Sequence, residues 1–586
     1  MSEGGGSKQT YDITAAEAIT QCLLREGIDT VFGIPGGYLS MLLDAFCRAG
    51  IRSVEARHEA AAAYMAAGWA QATGKIGVVY AQSGPGVTNA LTGFAAAHMD
   101  STPMLLIASQ TKRDDFGGLG HQESTGYDLG VDQLRLYQTF CTYAVRPPTP
   151  ATIPRMMRTA LSSALRTRGC SMLDLPVDLL SAKVTFEDLA PHHYRSASMG
   201  FDPKDVAVIA DLVRRAQQPA LLIGNRASHI GAGPALVGLC EEQQLACATV
   251  SHAKGVMPED HPLSLGALGR SGQRAAAEYF KGADLIVSFG ARLGNLTTLH
   301  NAAMFPNLVQ IDIDEREIGR TMSVKYGAIA ELRAMAEALR HALADHRPER
   351  RVAAQVAELR KRHEVYATEV SRRDSDPITP PRALQVIREN LPHDALIVGD
   401  TGTTCLSLGR HLPVYAQDGY YGLYGLASMG SGMPMSLGVA LAKPDALVMS
   451  VVGDGAFLAH ASEVGVAVQH GIRGIHIVLN NNQYRSVLER QHTWFDRIYV
   501  TRILNPDYAG MARAFGCDGY SVKTSTELAD AVKRAVTATR PVIIEVKVDE
   551  SFTETFYPEL AEFDKTLFAK PVAAWPLPRL PTRQGP

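Results

Sequence analysis

The chain has 586 residues, too many for one hydrophobic core; at roughly 100–200 residues per domain it should hold about three or four domains. Hydrophobic residues make up 46% and charged residues 20%, and a formal net charge of −3 is spread without blocks of one sign, which argues against nucleic acid or an anionic membrane as partner. Eight cysteines with no CxxC pair speak against a disulfide framework or a zinc site, and no apolar stretch in Met1–Thr10 suggests a signal peptide; with no run of about 18 apolar residues either, the expected setting is the cytoplasm.

In chain order, short β-branched runs alternate with Gly-rich turns and Ala-rich helical patterns, the signature of βαβ units and parallel sheets. Thr30-Val31-Phe32-Gly33 runs into Pro35-Gly36-Gly37, Ile76 to Tyr80 leads to Ser83-Gly84-Pro85-Gly86, and Met104 to Ala108 leads to a polar loop. This segment closes near Leu173–Asp178. A middle segment begins at Pro219–Gly224, continues through Ala283–Gly290 and ends after Val309–Asp314. Residues 345–380 read as a charged helix followed by a linker. The last segment carries Ala395–Asp400, Ala446–Val452, Gly474–Leu479 and Pro541–Val546 as strands. The expected fold is α/β, three doubly wound parallel-sheet domains over 1–190, 200–345 and 378–550, followed by a Pro-rich extended arm, 551–586.

Chemistry concentrates where the strand Ala446–Val452 runs into Gly453-Asp454-Gly455-Ala456 and the next strand ends at Asn480-Asn481. A diphosphate carries dense negative charge, and Mg2+ shares its six oxygen ligands between protein and phosphate. The protein must supply a carboxylate, neutral oxygens and backbone N–H groups near a helix start. Asp454 sits at the carboxyl end of a strand, and Asn481 follows 27 residues later, an interval that one strand–helix–strand crossover fills. The second feature is Glu59, in Arg57-His58-Glu59-Ala60 at the start of an Ala-rich helix that should be buried.

These motifs resemble the thiamine diphosphate family that contains acetohydroxyacid synthase, benzoylformate decarboxylase and oxalyl-CoA decarboxylase, over roughly residues 11–550. The resemblance implies Mg2+ ligands Asp454, Asn481 and the carbonyl of Gln483, with Tyr484 beside them. It implies that Glu59 activates the aminopyrimidine of thiamine diphosphate, that Met429 holds the cofactor bent, and that Thr401, Gly402, Thr403 and Thr404 line the diphosphate and pyrimidine. Gly36, the loop from Gly84 to Asn89, and the loop carrying His121 and Gln122 match the family's substrate-facing loops. Gly36 and Gly37 are expected to let a substrate approach backbone closely. In the middle domain Gly224, Arg226, Gly269, Gly290, Arg292, Asp312 and Asp314 match the flavin places of the synthases and make FAD a candidate cofactor. The resemblance also implies a homodimer or homotetramer with the site shared between subunits.

Two departures bear on the substrate. Leu296 stands where the synthases carry an arginine for the second keto acid's carboxylate, and Tyr484, Arg485 and Arg490 replace a Leu–Gly pair and a substrate-selecting tryptophan. Arg485, Arg490 and Trp494 are candidates for a different recognition scheme. The expected activity is a carboligase that decarboxylates a 2-oxo acid, with pyruvate as donor, and passes the acyl unit to an aldehyde or ketone. The rivals are acetolactate synthase proper, a simple 2-oxo acid decarboxylase, and a C–C lyase or hydrolase.

Overall fold

Strand order shows how the chain is wound. A computed structural model of the protein describes residues 10–127, 130–196, 199–299, 304–495 and 497–553. The arm expected over 551–586 therefore lies outside the described residues from 554 onward. Three six-stranded parallel sheets follow one another. The N-terminal sheet runs, edge to edge, Arg52–Glu55, Thr30–Gly33, Gly77–Ala81, Met104–Gln110, Cys170–Pro176, Tyr143–Val145. The C-terminal sheet repeats that winding with Tyr420–Tyr421, Leu396–Gly399, Val448–Gly453, Ile475–Asn480, Val542–Lys547, Asp518–Val522. The middle sheet is wound differently: Ser264–Ala267, Ala246–Thr249, Pro219–Ile223, Leu285–Phe289, Leu308–Asp312, Tyr326–Ile329. The α/β, doubly wound class expected from the alternation is the one observed. A small antiparallel pair, Thr10–Thr14 with Lys183–Glu187, closes the first sheet's unit. Among the described residues no helix is long and apolar enough to cross a membrane.

The N- and C-terminal sheets are joined by one continuous apolar core, whereas the middle sheet has its own. The joint is a helix pair, Glu59–Thr73 against Gly432–Ala442, both buried nearly all round. Small side chains let the backbones meet: a Cβ on Gly68 would lie 2.2 Å from the Met435 carbonyl oxygen, and one on Gly438 would lie 1.8 Å from that of Met65. Ala60 to Ala63, Ala66 and Ala67 serve the same approach, so the Ala-rich composition of this helix is a packing requirement. The middle sheet is tied on by a buried knot: Lys254 pairs with Glu259 and donates to Tyr366 at 3.1 Å, and Glu259 accepts Val414 N–H at 2.7 Å.

Glu463 is buried at the joint and accepts the Arg57 backbone N–H with both oxygens at 3.1 Å. Burial pushes its carboxyl up to about 7, against which the Arg57 N–H and charge act. A raised carboxyl stabilises the fold below its unfolded value, and that contribution is lost as pH rises through 7. Glu463→Gln, neutral throughout, should therefore gain on wild type by about 2 kcal/mol between pH 5 and pH 8, read by thermal or urea unfolding. A pH-independent difference would show that Glu463 is ionised in the folded protein.

Candidate active site

In the C-terminal sheet the chain leaves Leu396–Gly399 toward one edge and Val448–Gly453 toward the other, which opens a crevice at their carboxyl ends. A cavity of ≈ 380 Å3 occupies it. Residues 401–404 form one wall, residues 453–456 the floor, and Asn481, Gln483 and Tyr484 the facing wall, with Met429, 47% exposed, among the lining side chains. The helix Thr403–His411 starts here; its cap is Gly402, at φ +86°, which offers no side chain to its first N–H groups. An uncapped helix start of this kind is ready to receive an anion.

Asp454 is buried on the floor. Its Oδ1 accepts Gly455 N–H at 2.8 Å; its Oδ2 accepts Asn481 N–H at 3.2 Å and Asn505 Nδ2 at 2.9 Å. Burial raises its carboxyl, and these donors oppose the shift. Asn505 also bridges to Asn480 and Asn482, while Tyr508 donates to the Asp454 carbonyl and to Asn505, both at 3.0 Å. Sequence reasoning missed this brace, because a lone Asn before Pro506 carries no signal. It also treated Asp400 only as a strand end. Asp400, fully buried, accepts the N–H groups of Thr401 at 2.7 Å, Gly430 at 3.2 Å and Gly432 at 2.8 Å, and so ties the 401–404 wall to the turn after Met429. Burial pushes its carboxyl to about 6.

The donor set can be tested against Mg2+. Among the described residues there is no group of three or more His, Cys, Asp or Glu able to hold a metal. The floor offers the Asp454 carboxylate, and the facing wall the Asn481 amide and the Gln483 carbonyl, which also accepts Arg485 N–H at 2.9 Å. Such a set suits a hard ion that draws its remaining oxygens from a bound diphosphate, so the residues fit the pair together.

Arg485 lines the cavity, but the protein itself uses its guanidinium. It pairs with Glu489 at 2.8 Å and donates to the carbonyls of Glu550 at 2.6 Å and Ser551 at 3.3 Å and to the Thr553 hydroxyl. Gln483 Nε2 and Asn482 Nδ2 hold Glu550 as well. Arg485 thus fastens the segment carrying Phe552 along the cavity, instead of awaiting a substrate anion. Arg490 and Trp494 are not among the residues lining it.

The other predicted residues gather in the N-terminal sheet, at its own crevice between Thr30–Gly33 and Gly77–Ala81. Glu59 begins its helix under the cap His58, whose Nδ1 accepts Ala60 N–H at 3.1 Å. Asn89 Nδ2 holds Glu59 Oε2 at 3.0 Å, and Gly86 leaves room at Oε1, since a Cβ there would stand 3.2 Å from it. Gly84 N–H is held at 3.0 Å by Gln133, whose amide leans on Asp174 at 2.8 Å. The loop with His121 and Gln122 turns about Glu123, which accepts N–H groups from Gly117 and Gly120 and the Thr125 hydroxyl. His121 is exposed there. Gly36 differs from expectation: the space its side chain would take belongs to Gln82, 2.2 Å from an added Cβ, while Gly37 faces open space. None of these N-terminal residues lines the cavity holding Asp454.

The flavin candidates are engaged with one another. Arg226, buried, pairs with Asp312 at 2.7 Å, Glu317 at 3.2 Å and Asp314 at 3.4 Å; Arg292 pairs with Glu317 at 3.3 Å and donates to the Met99 carbonyl. Cβ atoms on Gly224 and Gly269 would meet the backbone of Gly290 and of Leu296, and one on Gly290 would meet Leu332 and Arg226. Arg226 and Arg292 thus pair with carboxylates of the same domain, and the glycines serve close approaches of the backbone. Asp312 Oδ2, buried beside this cluster, has no hydrogen-bond partner among the described residues. Leu296 lies on a short helix of the same domain, 53% exposed and outside the cavity.

Two crevices at strand ends, one with a buried helix-start carboxylate and one with an anion-ready helix start above an aspartate, define a diphosphate-cofactor enzyme of the doubly wound class. Models of the thiamine pyrophosphate enzymes match three regions: the N-terminal TPP binding domain at residues 13–134, the central domain at 206–339 and the C-terminal TPP binding domain at 400–546. A putative acetolactate synthase large subunit of Mycobacterium tuberculosis is 31% identical over 92% of this chain and 98% of its own. An acetolactate synthase large subunit of Parasynechococcus marenigrum is 30% identical over 93% and 89%. A sulfoacetaldehyde acetyltransferase of Rhodobacter capsulatus is 29% identical over 93% and 96%. The chain belongs to the thiamine pyrophosphate enzyme family, in its acetolactate synthase-like branch, and is an enzyme of the transferase or lyase kind.

Proposed function

We propose that the protein is a carboligase: a 2-oxo acid, pyruvate in the first instance, loses CO2, and its acyl unit joins the carbonyl carbon of an aldehyde or ketone. The observation that carries the acceptor class is Leu296, apolar where the synthases place the arginine for a second keto acid's carboxylate. Two relatives of similar identity are named sulfoacetaldehyde acetyltransferase, so substrates other than 2-oxo acids occur among proteins like this chain.

Bound thiamine diphosphate supplies the carbon nucleophile and the electron sink for decarboxylation. The chain supplies the rest. Asp454, Asn481 and the Gln483 carbonyl would hold Mg2+, and residues 401–404 would add backbone donors for the diphosphate. Glu59, its Oε2 fixed by Asn89, shares a proton with the pyrimidine through Oε1. Met429 sets the cofactor's shape, and Gln122 and His121 face the substrate. No part of this scheme uses a flavin.

Two copies complete the site in this reading, the N-terminal half of one facing the C-terminal half of the other. Supporting it are Leu119 and Tyr127, exposed beside the Gln122 loop, and Tyr499, Val500 and Leu504, exposed on the C-terminal domain; such apolar surface marks an interface.

The test is product analysis with pyruvate and a panel of aldehydes and ketones. A mixed hydroxyketone in excess over acetolactate is the expected result. Acetolactate alone, formed efficiently, would make the protein an acetolactate synthase, and free aldehyde alone would make it a decarboxylase.

A further inference from the structure

Gln82 appears in none of the motifs singled out from the sequence, yet it connects all three substrate-facing loops. It follows the strand Gly77–Ala81. Its Oε1 accepts Tyr38 N–H at 3.3 Å and the Ser109 hydroxyl at 3.4 Å; its Nε2 donates to Gln122 Oε1 at 2.8 Å. The polarity of this chain is not free. A backbone N–H can only donate, so the oxygen of Gln82 must face Tyr38. Ser109 agrees with this, because its Oγ already accepts Ser83 N–H at 3.0 Å and keeps its own proton to give. The Gln82 NH2 group must then face Gln122, and the Gln122 oxygen must face Gln82. The NH2 of Gln122 is left pointing outward, where the described residues provide no acceptor for it.

The backbone is bent to keep this arrangement. Gln122 has φ +55°, a left-handed conformation that costs energy in a residue with a side chain, and its carbonyl is held by the hydroxyls of Ser83 at 2.8 Å and Ser124 at 3.3 Å. Gly36 carries no side chain because Gln82 fills that space.

We infer that Gln82 is a positioning residue that locks the Gln122 amide with its NH2 toward the substrate, making Gln122 a hydrogen-bond donor to the oxygen that gains negative charge in the reaction. This rests on the proposed 2-oxo acid chemistry. There, the carbonyl oxygen of the donor or acceptor becomes alkoxide-like when its carbon is attacked, and a preorganised N–H at that oxygen lowers the barrier. An amide turned the other way would present its carbonyl and repel the same oxygen.

Gln82→Glu tests the idea, since a carboxylate still accepts from Tyr38 but cannot donate, and Gln122 must turn its NH2 inward to meet it. The expected result is a fall in kcat for pyruvate consumption on the order of 10²-fold, with KM, thiamine diphosphate affinity and thermal midpoint near wild type. Gln122→Leu should fall as far, and the double variant no further. Glutamine-selective 15N labelling reads the orientation without turnover: the side-chain resonances that vanish in Gln122→Leu should be solvent-exchanging in wild type and protected and shifted in Gln82→Glu. Should Gln82→Glu fold poorly, Gln82→Met removes the clamp without adding charge and should also lower kcat. Wild-type kcat in a folded Gln82 variant, losses that multiply in the double variant, or an unchanged Gln122 resonance would overturn the inference. A wild-type enzyme that consumes no 2-oxo acid would instead sink the proposed function, and the resonance would still decide the amide's polarity.

Discussion

Replacing Glu59 by Gln should lower kcat by about 10²–10⁴-fold while leaving thiamine diphosphate affinity within a few-fold of wild type. The side chain is buried at a helix start, its Oε2 is tied to Asn89, and the absent side chain of Gly86 keeps Oε1 accessible. A glutamine keeps that shape but cannot shuttle a proton. The expected loss therefore falls on the proton-transfer step and spares binding, which is governed by the distant clamp. Steady-state kinetics beside fluorescence titration with the cofactor and Mg2+ would separate the two. Undiminished kcat would show that another group activates the pyrimidine.

Asp454→Ala should show the opposite split: Mg2+-dependent cofactor binding weakened by at least about 10²-fold, with activity lost for lack of bound cofactor. Asp454 supplies the only carboxylate among the clamp residues, and its removal also leaves the Gly455 and Asn481 N–H groups without their acceptor and loosens the Asn505 brace. Calorimetric titration with thiamine diphosphate at fixed Mg2+ reads the effect; affinity like wild type would mean that the metal is held elsewhere. The two inactive variants together test the shared site. Co-expressed, Glu59→Gln and Asp454→Ala chains should form mixed dimers with one intact site, recovering about a quarter of wild-type activity. Two half-sites within one chain would recover nothing.

The strands read from sequence are inner strands of their sheets, and with one exception every inner strand was read. Met104–Gln110, Leu285–Phe289 and Ile475–Asn480 are covered on both faces, so they appear as mainly apolar runs with no alternation. Unread were the sheet edges, such as Arg52–Glu55, Tyr326–Ile329 and Asp518–Val522, whose half-exposed side chains alternate too briefly to register. The exception is Ala246–Thr249, buried throughout but built of small residues, with Thr249 its single β-branched one.

The site divides along similar lines. Glu59, Gly453-Asp454-Gly455 and Asn481 were legible because metal and phosphate chemistry demands particular residue types at strand and helix ends. The alternation of apolar runs and glycine turns determined the α/β class, and these few polar residues determined the cofactor. Tertiary structure alone decided how the remaining polar groups are spent. Arg485 fastens the chain near Phe552, Arg226 is consumed by Asp312 and Glu317, and Asp400, Asn505 and Gln82 hold the working residues in place. A side chain's hydrogen-bond partners lie far away in sequence, and whether a charge meets a ligand or a neighbour depends on distances of an ångström, which no local pattern encodes.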